Sequence, residues 1–157
     1  MATRFTVEVR YDAPTARVRE MLTTAAFRAE VCDRQHALRH DVAVDGDRVR
    51  VEQVQAADGV PSFAKKLVGS EITIIHTETW VSATEAEVRV EIPDKPGNIS
   101  GRLSLLESAG ATTQSVHLDI SARIPLVGSK IEGLIAKLLE KAYAREHEVG
   151  QEWLARP

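Results

Sequence analysis

The last thirty or so residues leave this chain the least freedom. Between Ile124 and Leu154, Val127, Ile131, Leu134, Leu138, Ala142, Val149 and Trp153 recur at helical spacing. Ile135, Leu139 and Tyr143 widen the row to an apolar face of about 100°. Pro125 bars regular structure from running straight into this segment, and Ser129 with Glu132 predicts a capping box at its start. From there to Leu154 the helix would measure roughly 39 Å. Lys130, Lys137, Glu140, Lys141 and Arg145 occupy its other sides. A helix this long and one-sided requires a broad apolar partner surface.

The rest of the chain supplies strands. Phe5, Val7, Val9 and Tyr11 alternate with polar residues, a half-buried first strand. Pro14 then opens a short helix to Leu22, and Ala25–Arg34 reads as a second, with Phe27 and Val31 at i and i+4. Two strands flank Asp45-Gly46, a strong hairpin signal; a turn on those two residues sets Val42 opposite Val49, His40 opposite Val51 and Leu38 opposite Gln53. Ala56–Ser70, containing Gly59, Pro61 and Gly69, reads as a loop with one helical turn around Phe63 and Leu67. Strands follow at Ile72–Ser82, Glu85–Ile92, Ile99–Leu106 and Thr113–Arg123. In the last pair, Leu103 and Leu105 face Leu118 and Val116, and Arg102 meets Asp119 outside.

The Ile72–Ser82 strand admits two registers. Pairing across Ala83-Thr84 sets Glu78 opposite Arg89 and Thr77 opposite Val90, leaving Ile72, Ile74 and Trp80 outside as a possible homodimer contact. A slip of one residue turns His76, Glu78 and Trp80 inward instead. The first register is preferred here. Short connections throughout make the sheet antiparallel. The expected architecture is α+β: a curved sheet of about seven strands around a long terminal helix, with two short helices after strand one. With 157 residues it reads as one domain, 1–157.

Three stretches tie this order to a known superfamily: Ile-Pro-Leu-Val-Gly-Ser-Lys-Ile-Glu at Ile124–Glu132, Thr-Glu-Thr-Trp at Thr77–Trp80, and Pro-Gly-Asn-Ile-Ser-Gly at Pro96–Gly101. They resemble a bacterial branch of the START-like proteins, which include START domains, polyketide cyclases and dehydrases, and pollen allergens. The resemblance implies a helix-grip fold with a cavity between sheet and helix for an apolar or amphipathic molecule. It implies no catalytic residue, because the superfamily shares no catalytic motif.

The residues by themselves narrow the function by exclusion. Net charge is −3 and the cations are scattered, against the basic stripe of a nucleic-acid surface. Cys32 is the single cysteine, so no disulfide forms within the chain. There is no Gly-rich phosphate loop, no H-E-x-x-H and no G-x-S-x-G, hence no expected cofactor or metal and no assigned catalytic residue. Without an apolar leader or membrane-length run the expected location is the cytoplasm.

Cavity-lining candidates are His40, Val42, Val51, Gln53, Thr77, Val90, Leu103 and Leu118 on the sheet, with Leu134, Ile135, Leu138 and Tyr143 on the helix. His40 either meets a ligand or is a core histidine bonded to backbone; His76 and Glu78 form an acid–base pair if inward and a surface group if outward. Phe63, Lys66 and Leu67 form a candidate lid, its lysines too few for stable membrane attachment. The expected activity is binding or carriage of an apolar or amphipathic, lipid- or polyketide-like molecule. The alternatives are a cyclase-, dehydrase- or hydrolase-type enzyme and a solid-core interaction domain.

Overall fold

The computed structural model describes residues 2–157. In chain order it contains β1 (Thr3–Tyr11), α1 (Thr15–Leu22), α2 (Ala25–Arg34), β2 (Arg39–Asp45), β3 (Arg48–Ala56) and α3 (Ser62–Val68). β4 (Glu71–Trp80), β5 (Glu85–Glu91), β6 (Asn98–Ser108), β7 (Ala111–Ser121) and α4 (Gly128–Leu154) follow. One seven-stranded antiparallel sheet runs β1-β7-β6-β5-β4-β3-β2. Helix α4 lies on the β1/β7 side of the inner face, with α1 and α2 against it. This is the helix-grip arrangement. Phe5, Leu103, Val116, Leu118 and Ile120 from the sheet bury against Met21, Leu22 and Phe27 from the two short helices.

Two hairpins keep their expected faces but shift register by two. The β2–β3 turn uses Gly46-Asp47, so Val42 pairs with Val51 and His40 with Gln53. The β6–β7 turn uses Ala109 and Gly110, both with positive φ, and sets Leu103 against Val116 and Arg102 against His117. Arg102 instead meets Glu85 at 3.1 Å, and Asp119 meets Arg4 at 3.7 Å.

The β4–β5 hairpin reverses the preferred reading. Its pairs are His76 with Val90, Glu78 with Val88 and Trp80 with Ala86, while Thr77 faces outward opposite Arg89. The cause is the turn. Val81 N–H donates to Glu85 at 2.9 Å, and the Ser82 hydroxyl accepts the N–H groups of Thr84 and Glu85. That closes a three-residue loop in place of the expected two-residue turn, and the odd residue flips the strand's faces. Trp80 is therefore buried under Arg19, and the outer patch of Ile72, Ile74 and Trp80 does not form.

The capping box does not form either: the start of α4 has no side-chain cap bond. Glu132 points inward, accepting from the Thr3 hydroxyl at 2.7 Å and the Ala122 N–H at 2.9 Å. It ties the helix to the end of β7 and the beginning of β1. The Ala122 N–H, with the Thr3 hydroxyl, holds its carboxyl below the usual carboxylate range.

Gly101 sits where β6 and β7 approach most tightly for a side chain. A Cβ there would lie 1.8 Å from the His117 carbonyl oxygen and 2.9 Å from the Leu118 Cα, both backbone atoms. Gly101→Ala is expected to cost roughly 2 kcal/mol by forcing the strands apart. A thermal melt should move down by about 5 °C; a shift below about 1 °C would show that the strands separate freely at this point.

Candidate functional site

The inner face of β4 carries Ile72, Ile74, His76, Glu78 and Trp80, because side chains alternate along a strand. Helix α2 brings Arg28 onto Glu78, and α4 brings Tyr143 and Glu146. Arg28 is 3% exposed and bonded through each nitrogen: Nε to the Leu22 carbonyl at 2.8 Å, Nη1 to Glu146 Oε1 at 2.9 Å, and Nη2 to Glu78 Oε1 at 2.6 Å. His76 Nε2 lies 3.5 Å from Glu78 Oε2. The His76 and Tyr143 rings stand perpendicular, with centroids 6.3 Å apart. Gln114 of β7 lies beside Glu146, and Tyr11 of β1 closes the cluster above it.

This is one buried cation shared by two buried carboxylates. Burial pushes Glu78 and Glu146 up toward their neutral forms, and Arg28 opposes that push. Burial disfavours the charge on Arg28 as well, but the two carboxylates more than offset it and keep the guanidinium protonated. His76 is pushed down to about 4, first by burial and then by the Arg28 charge. The Glu146 charge opposes that push without overcoming it. Burial also raises the Tyr143 and Tyr11 hydroxyls, with the carboxylates adding to it. Glu78 Oε2, Gln114 Oε1 and the Tyr143 and Tyr11 hydroxyls are buried without a hydrogen-bond partner among the described residues. Such atoms mark a place where water or a ligand group belongs.

A row of half-buried apolar residues leads away from this cluster on each element. Helix α4 runs parallel to β1, because Glu132 meets Thr3 and His147 meets Tyr11, and β4 runs the same way by strand order. From the Tyr143–His76 contact toward the start of both elements lie Leu139 and Ile135 on the helix and Ile74 and Ile72 on the strand. All four are only half-buried, whereas Val149 beyond Tyr143 is sealed.

The residues expected to line a cavity are not all brought together. Val51, Val90, Leu103, Leu118 and Tyr143 are buried on the inner side, and Leu134 and Ile135 are half-buried. Val42 packs in a smaller cluster with Cys32, Val49 and Val51. His40, on the edge strand, meets Asp33 at 3.1 Å, and Gln53 joins Gln35 and Gln55. Thr77 lines an outer groove of about 480 Å³ with Arg48, Glu87 and Arg102. Leu138 is 49% exposed. Its place on the inner row is corrected because the buried row of α4 runs through Glu132, Tyr143, Glu146 and Gly150. Of the lid residues, Phe63 is exposed, Leu67 half-buried and Lys66 exposed, all on α3, which is longer than the single turn expected. A second open groove, about 750 Å³, borders Asn98, Ser100, Asp119 and Arg123, away from the cluster. Burial raises the Cys32 thiol to about 11, so it is inert at neutral pH.

Arg28, Glu146 and Gln114 are absent from the residues expected at the site. The sequence does carry a signal for two of them: Glu146 falls three residues from both Tyr143 and Val149, and Arg28 four before Cys32, each a charge on its helix's own apolar row.

The sequence matches the family described as "Protein of unknown function (DUF2505)" over residues 6–154. The chain belongs to the DUF2505 family. An uncharacterized protein of Mycobacterium tuberculosis, Rv0481c, is 26% identical over 108 residues; the match covers 65% of the DUF2505 chain and 62% of the mycobacterial protein, less than two thirds of its length. Mycobacterium bovis has a protein, Mb0491c, that matches to the same extent. Among solved structures, the Zhui aromatase/cyclase from Streptomyces superposes with a TM-score of 0.70 at 13% identity, covering 97% of this chain and 93% of that one. The di-domain ARO/CYC BexL gives 0.72 at 20% identity, over 99% of this chain and 51% of BexL. Truncated norcoclaurine synthase from Thalictrum flavum gives 0.69 at 10% identity, over 100% and 96%. At such identities the likeness is one of fold, and the fold is the START-like helix grip. Among the described residues no helix is long and apolar enough to cross a membrane.

Proposed function

We propose that this DUF2505 protein binds an apolar or amphipathic small molecule between β4 and α4. The apolar body would lie along Ile72, Ile74, Ile135 and Leu139, and the polar end would reach His76 and Tyr143. The observation that carries this reading is the contrast in burial along α4. Apolar residues on two elements that meet at His76 and Tyr143 keep solvent exposure, while Glu146, Val149 and Gly150 just beyond Tyr143 are buried. Apolar walls with a few convergent polar groups are the composition of a small-molecule site. Names such as aromatase/cyclase and norcoclaurine synthase among the fold's solved members agree with it. Phe63, Lys66 and Leu67 on α3 would then border the entrance, and α3 would move when a ligand enters.

Ile135→Trp is expected to fill the channel. Uptake of the uncharged fluorophore N-phenyl-1-naphthylamine should weaken by about tenfold or more, a loss of about 1.4 kcal/mol. Leu138→Trp, on the exposed flank, should bind as the unaltered protein does. Circular dichroism melts check that both variants fold; equal uptake by a folded Ile135→Trp protein would remove the site.

A further inference from the structure

The charge and hydrogen-bond inventory at the inner end of the channel specifies the ligand's polar group more narrowly. Every nitrogen of Arg28 already donates to a carbonyl or a carboxylate oxygen. One N–H remains on each Nη, but a carboxylate reaching them would face Glu78 and Glu146. Among the described residues the cluster offers two acceptor oxygens without a donor, beside the unpartnered Tyr11 and Tyr143 hydroxyls and His76 Nε2, which either donate or accept. Glu78 Oε2 and Gln114 Oε1 are each on side chains 1% exposed, and neither has a hydrogen-bond donor among the described residues. The formal charges point the same way: one guanidinium stands between two carboxylates, so the buried cluster lacks one positive charge.

The approach to these acceptors is through His76. Its side chain is 18% exposed, while that of Glu78 is 1% exposed, and it sits between Glu78 and the half-buried Ile74. The ring of Tyr143, stacked 6.0 Å from Phe5 and perpendicular to the His76 ring, stands on the other side.

We infer that the site selects amphipathic molecules ending in a protonated amine over those ending in a carboxylate, with Glu78 as the counter-ion. This rests on the binding reading above and adds to it the chemical class of the ligand. The ammonium donates N–H to the open Glu78 oxygen and supplies the missing positive charge, while its alkyl body follows the Ile74–Leu139 channel. A neutral hydroxyl can donate to the same oxygen but leaves the charge unbalanced, so it ranks second.

Isothermal titration calorimetry of the full chain at pH 7 with decylamine, 1-decanol and decanoate tests this, since the three share one alkyl chain. Decylamine should bind at least about tenfold more tightly than 1-decanol, with decanoate weakest. Glu78→Gln should erase the advantage of the amine and leave 1-decanol unchanged. Glu87→Gln, on the outer sheet face, should leave the order intact and so exclude general attraction by a chain of net charge −3. Equal binding of decylamine and 1-decanol, or a preference for decanoate, overturns the amine assignment and leaves the binding site standing. Failure of all three to bind overturns the binding site and the assignment together. The ranking on the unaltered protein decides the question even if Glu78→Gln fails to fold.

Discussion

Arg28→Met should be among the most damaging single substitutions in this protein, costing roughly 3–5 kcal/mol. Arg28 is the one cation between Glu78 and Glu146, and it also satisfies the Leu22 carbonyl. Removing it leaves two carboxyls and a carbonyl buried with no donor. Both carboxyls must then bind protons at neutral pH, each against its tendency to ionise in the unfolded chain. A drop in melting temperature on the order of 10 °C follows for a chain of this size. Arg34→Met provides the comparison. Arg34 bonds Glu152 in an equally direct pair, but both side chains are well exposed, and the expected loss is much smaller. Adding Glu78→Gln and Glu146→Gln to Arg28→Met should recover much of the loss, because the penalty lies in the stranded acids rather than in the missing arginine. Urea denaturation of the set decides it. If Arg28→Met is no less stable than Arg34→Met, the cluster is not a desolvated ion network.

Such a cluster is an expensive way to build a core. A well-packed apolar replacement of the same volume is often neutral or stabilising, so stability alone gives little reason for Arg28, Glu78 and Glu146 to meet here. The binding role proposed above would supply a different reason. The Glu78 oxygen and the Tyr143 hydroxyl, unpartnered among the described residues, lie beside the partly exposed imidazole.

What the sequence reveals and what it hides divide along physical lines. Element order is legible because periodicity survives averaging: the 3.6-residue row from Ile131 to Trp153 and the alternation in Phe5–Tyr11 each repeat several times. Strand faces depend on parity, and parity depends on a single turn residue. Where Ser82 closes a three-residue loop, the sequence Ser-Ala-Thr reads equally well as a two-residue turn, and His76, Glu78 and Trp80 exchange faces. In β4 the alternation itself cannot choose a face, because Ile74 and Ile75 place an isoleucine on both sides. Charged core residues are hidden for another reason. Arg28 and Glu146 lie on amphipathic helices whose other charges, Glu132 apart, are at least partly solvated, and only tertiary contact shows that they turn inward. Glu132 is legible as a helix-start residue but not as the clasp between Thr3 and Ala122, since those partners are remote in sequence. Leu138 misleads for the complementary reason: counting apolar residues alone draws the helix's inner row through it, whereas the true row includes two glutamates.

The pH dependence of stability isolates the imidazole at the channel's end. His76 is pushed below its ordinary value to about 4, so the folded protein holds it neutral where the unfolded chain would protonate it. Its contribution to stability is therefore complete above about pH 6.5 and is lost as pH falls toward 4. The size is about 3 kcal/mol over that window, to order of magnitude. Glu78 and Glu146, raised by burial, act with the opposite sign: their contribution is present at low pH and lost as pH rises through their folded values. The unaltered protein shows the sum of these slopes. Its difference from His76→Gln, which keeps a side chain able to hydrogen-bond, removes the carboxylate part to first order. That difference should shrink steadily from pH 7 to 4.5 in urea titrations. A difference that grows as pH falls would mean that His76 is charged and paired with Glu78 across their 3.5 Å separation, rather than neutral and desolvated. The cluster would then carry its own second cation, and a protonated amine would lose its advantage over a hydroxyl at the same oxygen. One titration series therefore bears on both the protonation of the site and the class of molecule it accepts.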